Sequence, residues 1–115
     1  MRMKIKSKFW LEAGGKPVFG RGKRHLLEAI DRYGSINRAA KEIEMPYRKA
    51  WAHLKSMEER LGIKLVERRA GGKDGGGAVL TENARKILYK YGELEKGLQK
   101  IIDERFREIF RRGPS

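Results

Sequence analysis

Residues 34–62, GSINRAAKEIEMPYRKAWAHLKSMEERLG, decide how the chain reads. Ser35 is a favoured helix N-cap, because its hydroxyl can accept from a first-turn N–H that has no partner inside the helix. Beyond it Ile36, Ala39, Ala40 and Ile43 recur at i, i+3, i+4 and i+7, on one face of a short helix. Pro46 cannot extend that helix and disfavours helical geometry at Met45, yet it suits the first turn of a new helix that runs through Leu61 and stops at Gly62. At about 100° per residue, Ala50, Leu54, Met57 and Leu61 fall on one side of this second helix, with Tyr47 and Trp51 on its flank. Arg48, Lys49, Ala52, Lys55 and Ser56 face away. A short helix carrying an alanine pair, a turn of about three residues and a longer helix that is basic at its start predict a helix-turn-helix.

Working upstream, Leu26, Leu27, Ile30 and Tyr33 repeat at helical spacing from about Lys23, and Gly34 is the expected stop. Residues 4–12 (KIKSKFWLE) alternate cationic and apolar side chains, with Ile5, Phe9 and Leu11 on one face, as in a half-buried strand. The AGGKP stretch at 13–17 supplies a turn, and Val18 and Phe19 can return as a second strand. Downstream, 63–69 (IKLVERR) reads as a strand and 78–80 (AVL) as its shorter partner, joined by the loop AGGKDGGG at 70–77. Such a hairpin is a wing. Lys73 at its tip and Arg68 and Arg69 at its base are placed to grip phosphates. The glycine run does not match a nucleotide-binding loop: no Gly-Lys-Ser/Thr follows at the required spacing, no GxGxxG is present, and the loop lies between strands.

From Thr81, a credible N-cap, an apolar series from Ala84 to Phe110 keeps helical periodicity. About 30 residues at 1.5 Å each span roughly 45 Å, more than the roughly 30 Å diameter of an 80-residue globule, so the far half projects. Leu94, Leu98, Ile101, Ile102, Phe106, Ile109 and Phe110 would then form an apolar stripe in water, and the simplest cover is the same helix of a second subunit. Gly92 and Gly97 are the positions where the helix would break if it folded back instead. The expected class is mainly α with small β-hairpins (α+β). Residues 1–80 form the helix-turn-helix domain with its N-terminal hairpin and glycine-rich wing, and 81–115 form a long dimerisation helix.

Composition narrows the partner. The chain has 28 Lys and Arg against 15 Asp and Glu, a formal net charge of +13, and 19 of those cations against 9 of the acids lie in residues 1–80. A polyanion is the natural ligand of such a surface. No cysteine is present, and His25 and His53 are isolated, so neither a metal site, a cofactor nor a disulfide is expected. No apolar run is long enough to span a bilayer or serve as a signal peptide, which places the chain in the cytoplasm and away from membranes. With 37 % charged residues and only three Asn or Gln, the composition resembles that of proteins from hot environments. No paired carboxylates, nucleophile with base or metal cluster marks an enzyme.

Gly34-Ser35-Ile36 with Ala39-Ala40, Tyr47-Arg48-Lys49-Ala50-Trp51, Leu65-Val66-Glu67, Gly71-Gly72-Lys73 and the run Gly75 to Thr81 together carry a resemblance. The segment from Gly34 to Thr81 is similar to the DNA-binding domain of the molybdate-dependent transcriptional regulators, the ModE type, whose winged helix is similar to that of LysR-type regulators. With the preceding hairpin and the long helix, the resemblance extends to about Leu98. It implies that Tyr47 and the neighbouring basic residue begin the recognition helix, that the wing approaches the DNA backbone, and that the final helix builds the dimer. Pro46 stands where the family often has serine, and Glu44 where glycine is common. If that turn residue is left-handed, Glu costs about 1 to 2 kcal/mol that Gly would not. The family's full-length members carry C-terminal molybdate-binding domains, whereas this sequence stops at Ser115. Oxyanion sensing is therefore not expected of this polypeptide, whose effector would arrive on a separate protein if it has one.

The expected function is regulation of transcription by a homodimer on inverted repeats in double-stranded DNA. Its expected DNA contacts are Ser35, Arg38, Tyr47, Arg48, Lys49, Ala52, Lys55, Ser56, Arg68, Arg69 and Lys73. Charge alone also fits an architectural, chromatin-like protein that coats DNA without sequence preference.

Overall fold

The computed structural model describes residues 2–69 and 77–110. Eight elements follow in chain order: β1 (Leu11–Ala13), β2 (Lys16–Phe19), α1 (Arg21–Tyr33), α2 (Ile36–Glu42), α3 (Tyr47–Leu61), β3 (Val66–Arg69), β4 (Gly77–Leu80) and α4 (Glu82–Phe110). The expected architecture of helices with two small hairpins is present.

Local chemistry sets most boundaries. Gly34 and Gly62 end α1 and α3 in the left-handed conformation, at φ +67° and +68°, each donating its N–H back to the preceding turn. Only glycine adopts that conformation freely. Ser35 caps α2 by accepting from the Arg38 N–H at 3.2 Å. Pro46 is the N-cap of α3, one residue before its first turn. Between them Glu44 sits at φ +56°, the one non-glycine residue with positive φ among those described. The strain expected if this turn residue were left-handed is thus present.

The first hairpin is shorter than its alternation predicted. Gly14 and Gly15, at φ +59° and +77°, make the tight turn. β1 and β2 pair antiparallel with an irregularity between Leu11 and Glu12. Residues 2–10 lie outside any strand. Their would-be partner ends at Phe19, because α1 begins at Arg21, so no ladder is available for them. Phe9 turns instead to α4, where its carbonyl accepts from the Tyr91 hydroxyl at 3.0 Å, and Ser7 Oγ donates to Gln99 Oε1 at 3.3 Å.

The core gathers Leu26, Leu27 and Ile30 of α1, Ala39 and Ala40 of α2, and Ala50, Leu54 and Met57 of α3. Phe19, Leu65, Leu80, Ala84 and Tyr91 close it. Tyr91, 2 % exposed, stands edge-on to Phe19 at 5.1 Å between ring centroids. The alanines let α1, α2 and α3 approach closely. At the far end, α4 runs unbroken through Gly92 and Gly97 for 29 residues, and the molecule extends 63 × 30 × 22 Å. None of the described helices is long and apolar enough to cross a membrane.

Candidate nucleic-acid interface

Helix α3 presents its basic face outward because its apolar face is taken. Ala50, Leu54 and Met57 are buried, which turns Arg48, Lys49, Ala52 and Lys55 into solvent. Ser56, expected beside them, is half-buried; it lies at the margin of the exposed arc rather than at its centre. Tyr47, 46 % exposed, opens the helix and meets Trp51 edge-on at 6.2 Å. Trp51 packs against the core as expected of a flanking aromatic, and the Arg68 guanidinium lies 4.7 Å from its ring centroid. Tyr47, Trp51 and Arg68 thus form a continuous chain of contacts from the start of α3 to the wing. Such cation–π contacts hold a long side chain in place without neutralising its charge.

The wing is anchored at both ends. β3 and β4 pair in register from Val66↔Leu80 to Arg69↔Gly77, with Arg69 exposed. Gly77 also forms a bridge with Ser35, and the Ala78 N–H donates to the Gly34 carbonyl at 2.9 Å. A Cβ on Gly77 would meet the Arg69 carbonyl oxygen at 3.3 Å, so this close approach favours glycine. At the other end, Glu58 of α3 accepts from the N–H groups of Leu65 at 2.7 Å and Val66 at 3.3 Å. Thr81 caps α4 by accepting from the Ala84 N–H at 3.1 Å and donates its hydroxyl to the Lys64 carbonyl at 2.7 Å. The wing base is therefore bonded directly to the helix it flanks. Nothing in periodicity or composition identified Glu58; a carboxylate eight residues before the strand was its only trace.

Ser35 departs from the role of a free contact. It is 5 % exposed, and its hydroxyl is committed to the cap. Arg38 is exposed on α2 with its guanidinium 5.1 Å from the Tyr33 ring centroid, and Arg32 approaches the same ring at 5.7 Å. Lys73 lies outside the described residues. The structure thus brings Tyr47, Arg48, Lys49, Ala52, Lys55 and Arg68 to α3 and its wing-side flank.

Along α4, the face that buries Ala84 and Tyr91 continues past the globule. Leu98, Ile102 and Phe106 are half-buried, whereas Leu94, Ile101, Ile109 and Phe110 are exposed, Ile101 and Ile109 by 57 % and 59 %. Phe106 and Phe110 stack at 5.0 Å.

Comparison with known proteins agrees with this geometry. The model of the family described as bacterial regulatory helix-turn-helix protein, lysR family, matches residues 23–85. The chain is 45 % identical over 87 residues to the molybdenum transport protein ModE of Azotobacter vinelandii, covering 73 % of this chain and 32 % of that protein. It is 40 % identical over 78 residues to the DNA-binding transcriptional dual regulator ModE of Escherichia coli K12, covering 68 % and 30 %. It therefore spans about a third of the length of these relatives. Among solved structures, the BenM DNA-binding domain in its complex with benA site 1 DNA superposes with a TM-score of 0.55 at 19 % identity, over 75 % of this chain and 94 % of that one. The winged helix is the fold they share.

Proposed function

The chain belongs to the lysR family of bacterial regulatory helix-turn-helix proteins, and on that premise we propose that it is a sequence-specific regulator that binds double-stranded DNA as a homodimer. The observation that carries this reading is the outward face of α3. Arg48 stands one residue inside its start, Ala52 follows a turn later with no bulk to hinder approach, and Lys55 continues the line. In a major groove, Arg48 is positioned to donate two hydrogen bonds to guanine O6 and N7, while a small side chain avoids clashing with base edges. Arg68, held on Trp51, and Arg69 supply backbone contacts from the wing base.

Dimerisation rests on α4. The apolar stripe that leaves the globule requires a cover, and two copies of one helix form a self-complementary pair about a two-fold axis. The dimer presents two copies of α3, which calls for an inverted repeat with half-sites about 34 to 36 Å apart, or a multiple of it. The test compares affinity for DNA upstream of the chain's own coding sequence with affinity for random duplex at one physiological salt concentration. A ratio above about 10³ supports a regulator, whereas a ratio near one supports the coating protein that the net charge of +13 also favours.

A further inference from the structure

The two sides of α3 are not alike. Trp51 and Glu58 face the wing. On the opposite side lie Lys49, His53 and Arg60, within about 40° of one another on the helical wheel. The N-terminal hairpin packs against that side, tied by the Arg60 Nη1 donation to the Pro17 carbonyl at 2.6 Å. Here an open cavity of about 290 Å³ lies between the N-terminal arm, β2, the start of α1 and α3. Its lining includes Lys8, Phe9, Trp10, Pro17, Lys23 and His53.

Charge in this corner is uncompensated. Among the described residues, Lys8, Lys23, Lys49 and Arg60 form no ion pair, and Arg21, on the cavity wall, reaches Glu95 only at 3.6 Å. The first turn of α1 holds no acidic residue. The charged groups that line the cavity with His53 are Lys8 of the arm and Arg21 and Lys23 of α1, and Lys49 and Arg60 share its side of α3; all are cations. Crowding of this kind works against folding unless an anion answers it.

We infer that Lys23, Lys49 and His53 form a second backbone clamp, which takes a phosphate of the duplex occupied by α3 on the side opposite the wing. The inference rests on the DNA-binding reading above. A phosphate is the indicated occupant because the cluster adjoins the exposed face of α3, with Lys49 common to both, so a strand that follows that face passes beside it. The recognition helix is then gripped from both flanks, by the wing on one and by the hairpin corner on the other.

The state of His53 fits this role and makes it measurable. Burial, then Lys23 and Lys49, lower its pKa from the ordinary value, so the free protein holds it neutral near pH 7. A phosphate reverses the local potential and raises that pKa. Binding therefore takes up a proton, and affinity rises as pH falls through the interval between the lowered free value and the raised bound one.

The test is a binding titration of the full chain and its variants on upstream and random duplexes of about 30 base pairs, across salt and from about pH 7.5 to 5.5. Lys23→Gln and His53→Gln are expected to weaken both duplexes alike. Lys23→Gln should reduce the salt slope by about one. His53→Gln should abolish the rise in affinity on acidification, and His53→Lys should keep the affinity while losing that pH dependence. Circular dichroism confirms that each variant is folded. Wild-type salt slope and pH response in folded Lys23→Gln and His53→Gln would overturn the clamp and leave the regulator reading intact. Equal affinity for both duplexes with the variant effects present would overturn sequence specificity and leave the clamp. A wild-type chain that binds neither duplex overturns both.

Discussion

Removing the Glu58 carboxylate should loosen the wing from α3 and lower stability by an amount the structure allows one to work out. Glu58 accepts two backbone N–H groups, and one of them, on Leu65, belongs to a fully buried residue. A hydrogen bond to a charged group is worth about 1.5 to 3 kcal/mol, and a buried donor left alone costs about 1 to 3 kcal/mol. The Val66 bond is long and Glu58 only half-buried, so water recovers part of the loss. The few tenths of a kcal/mol that alanine gains in a helix offset a little more. Glu58→Ala should therefore cost about 2 kcal/mol, or about 8 °C in Tm at the usual unfolding entropy for a chain of this size. Glu58→Gln keeps one acceptor oxygen without the charge and should cost about half as much. Urea titration followed by circular dichroism measures both, at one protein concentration, since the midpoint of any self-associating chain depends on concentration. If Glu58→Ala falls within about 0.5 kcal/mol of wild type, the carboxylate is not what holds β3 in place. If Gln costs as much as Ala, the retained oxygen makes no bond to β3.

Three further outcomes are expected. Glu44→Gly relieves a left-handed side chain worth about 1 to 2 kcal/mol and loses part of that to the freer unfolded chain, so thermal unfolding should show a net gain of about 0.5 to 1 kcal/mol. Arg48→Ala should cost about 1 to 3 kcal/mol on a preferred site and much less on scrambled DNA, whereas Arg68→Ala should weaken both alike and lower the salt slope by about one; equal losses from Arg48→Ala on both would make it a phosphate contact. Truncation after Glu95 removes Ile101, Phe106, Ile109 and Phe110, and sedimentation at micromolar concentration should show a monomer where the full chain is a dimer; a monomeric full chain removes the role given to α4.

What the sequence made legible was local. Ser35, Gly34 and Gly62 signal the ends of helices through their own side chains or the lack of one, and each signal lies within a turn of the boundary it sets. The buried stripe of α3 and the continuity of α4 follow from period, despite Gly92 and Gly97. The strand expected over residues 4–12 forms only from Leu11 onward, because alternation describes a face and does not supply a partner; β2 ends first, and Phe9 goes to Tyr91, 82 residues away. The same limit hid the Glu58 cap, the Ser35 bridge to Gly77 and the Arg68–Trp51 stack, which join residues that no repeat connects. Ser35 caps α2 as its hydroxyl predicts, yet the burial that keeps it from the surface comes with its bridge to β4.

The arm has a consequence for how the fold assembles. Its two hydrogen bonds to α4 span 82 and 92 residues, while the helices and hairpins close over a few residues each. Closing a loop of that length costs on the order of 4 kcal/mol in chain entropy, which favours docking only after the rest of the core has formed. Contacts made last are, by the same free-energy ordering, the first to open in the folded protein. Opening the arm exposes the Tyr91 hydroxyl and removes one wall of the cavity beside His53, yet leaves the core contacts of α1, α2 and α3 in place. One flank of α3 thus borders a segment expected to open before the core does, while the other is bonded to that core.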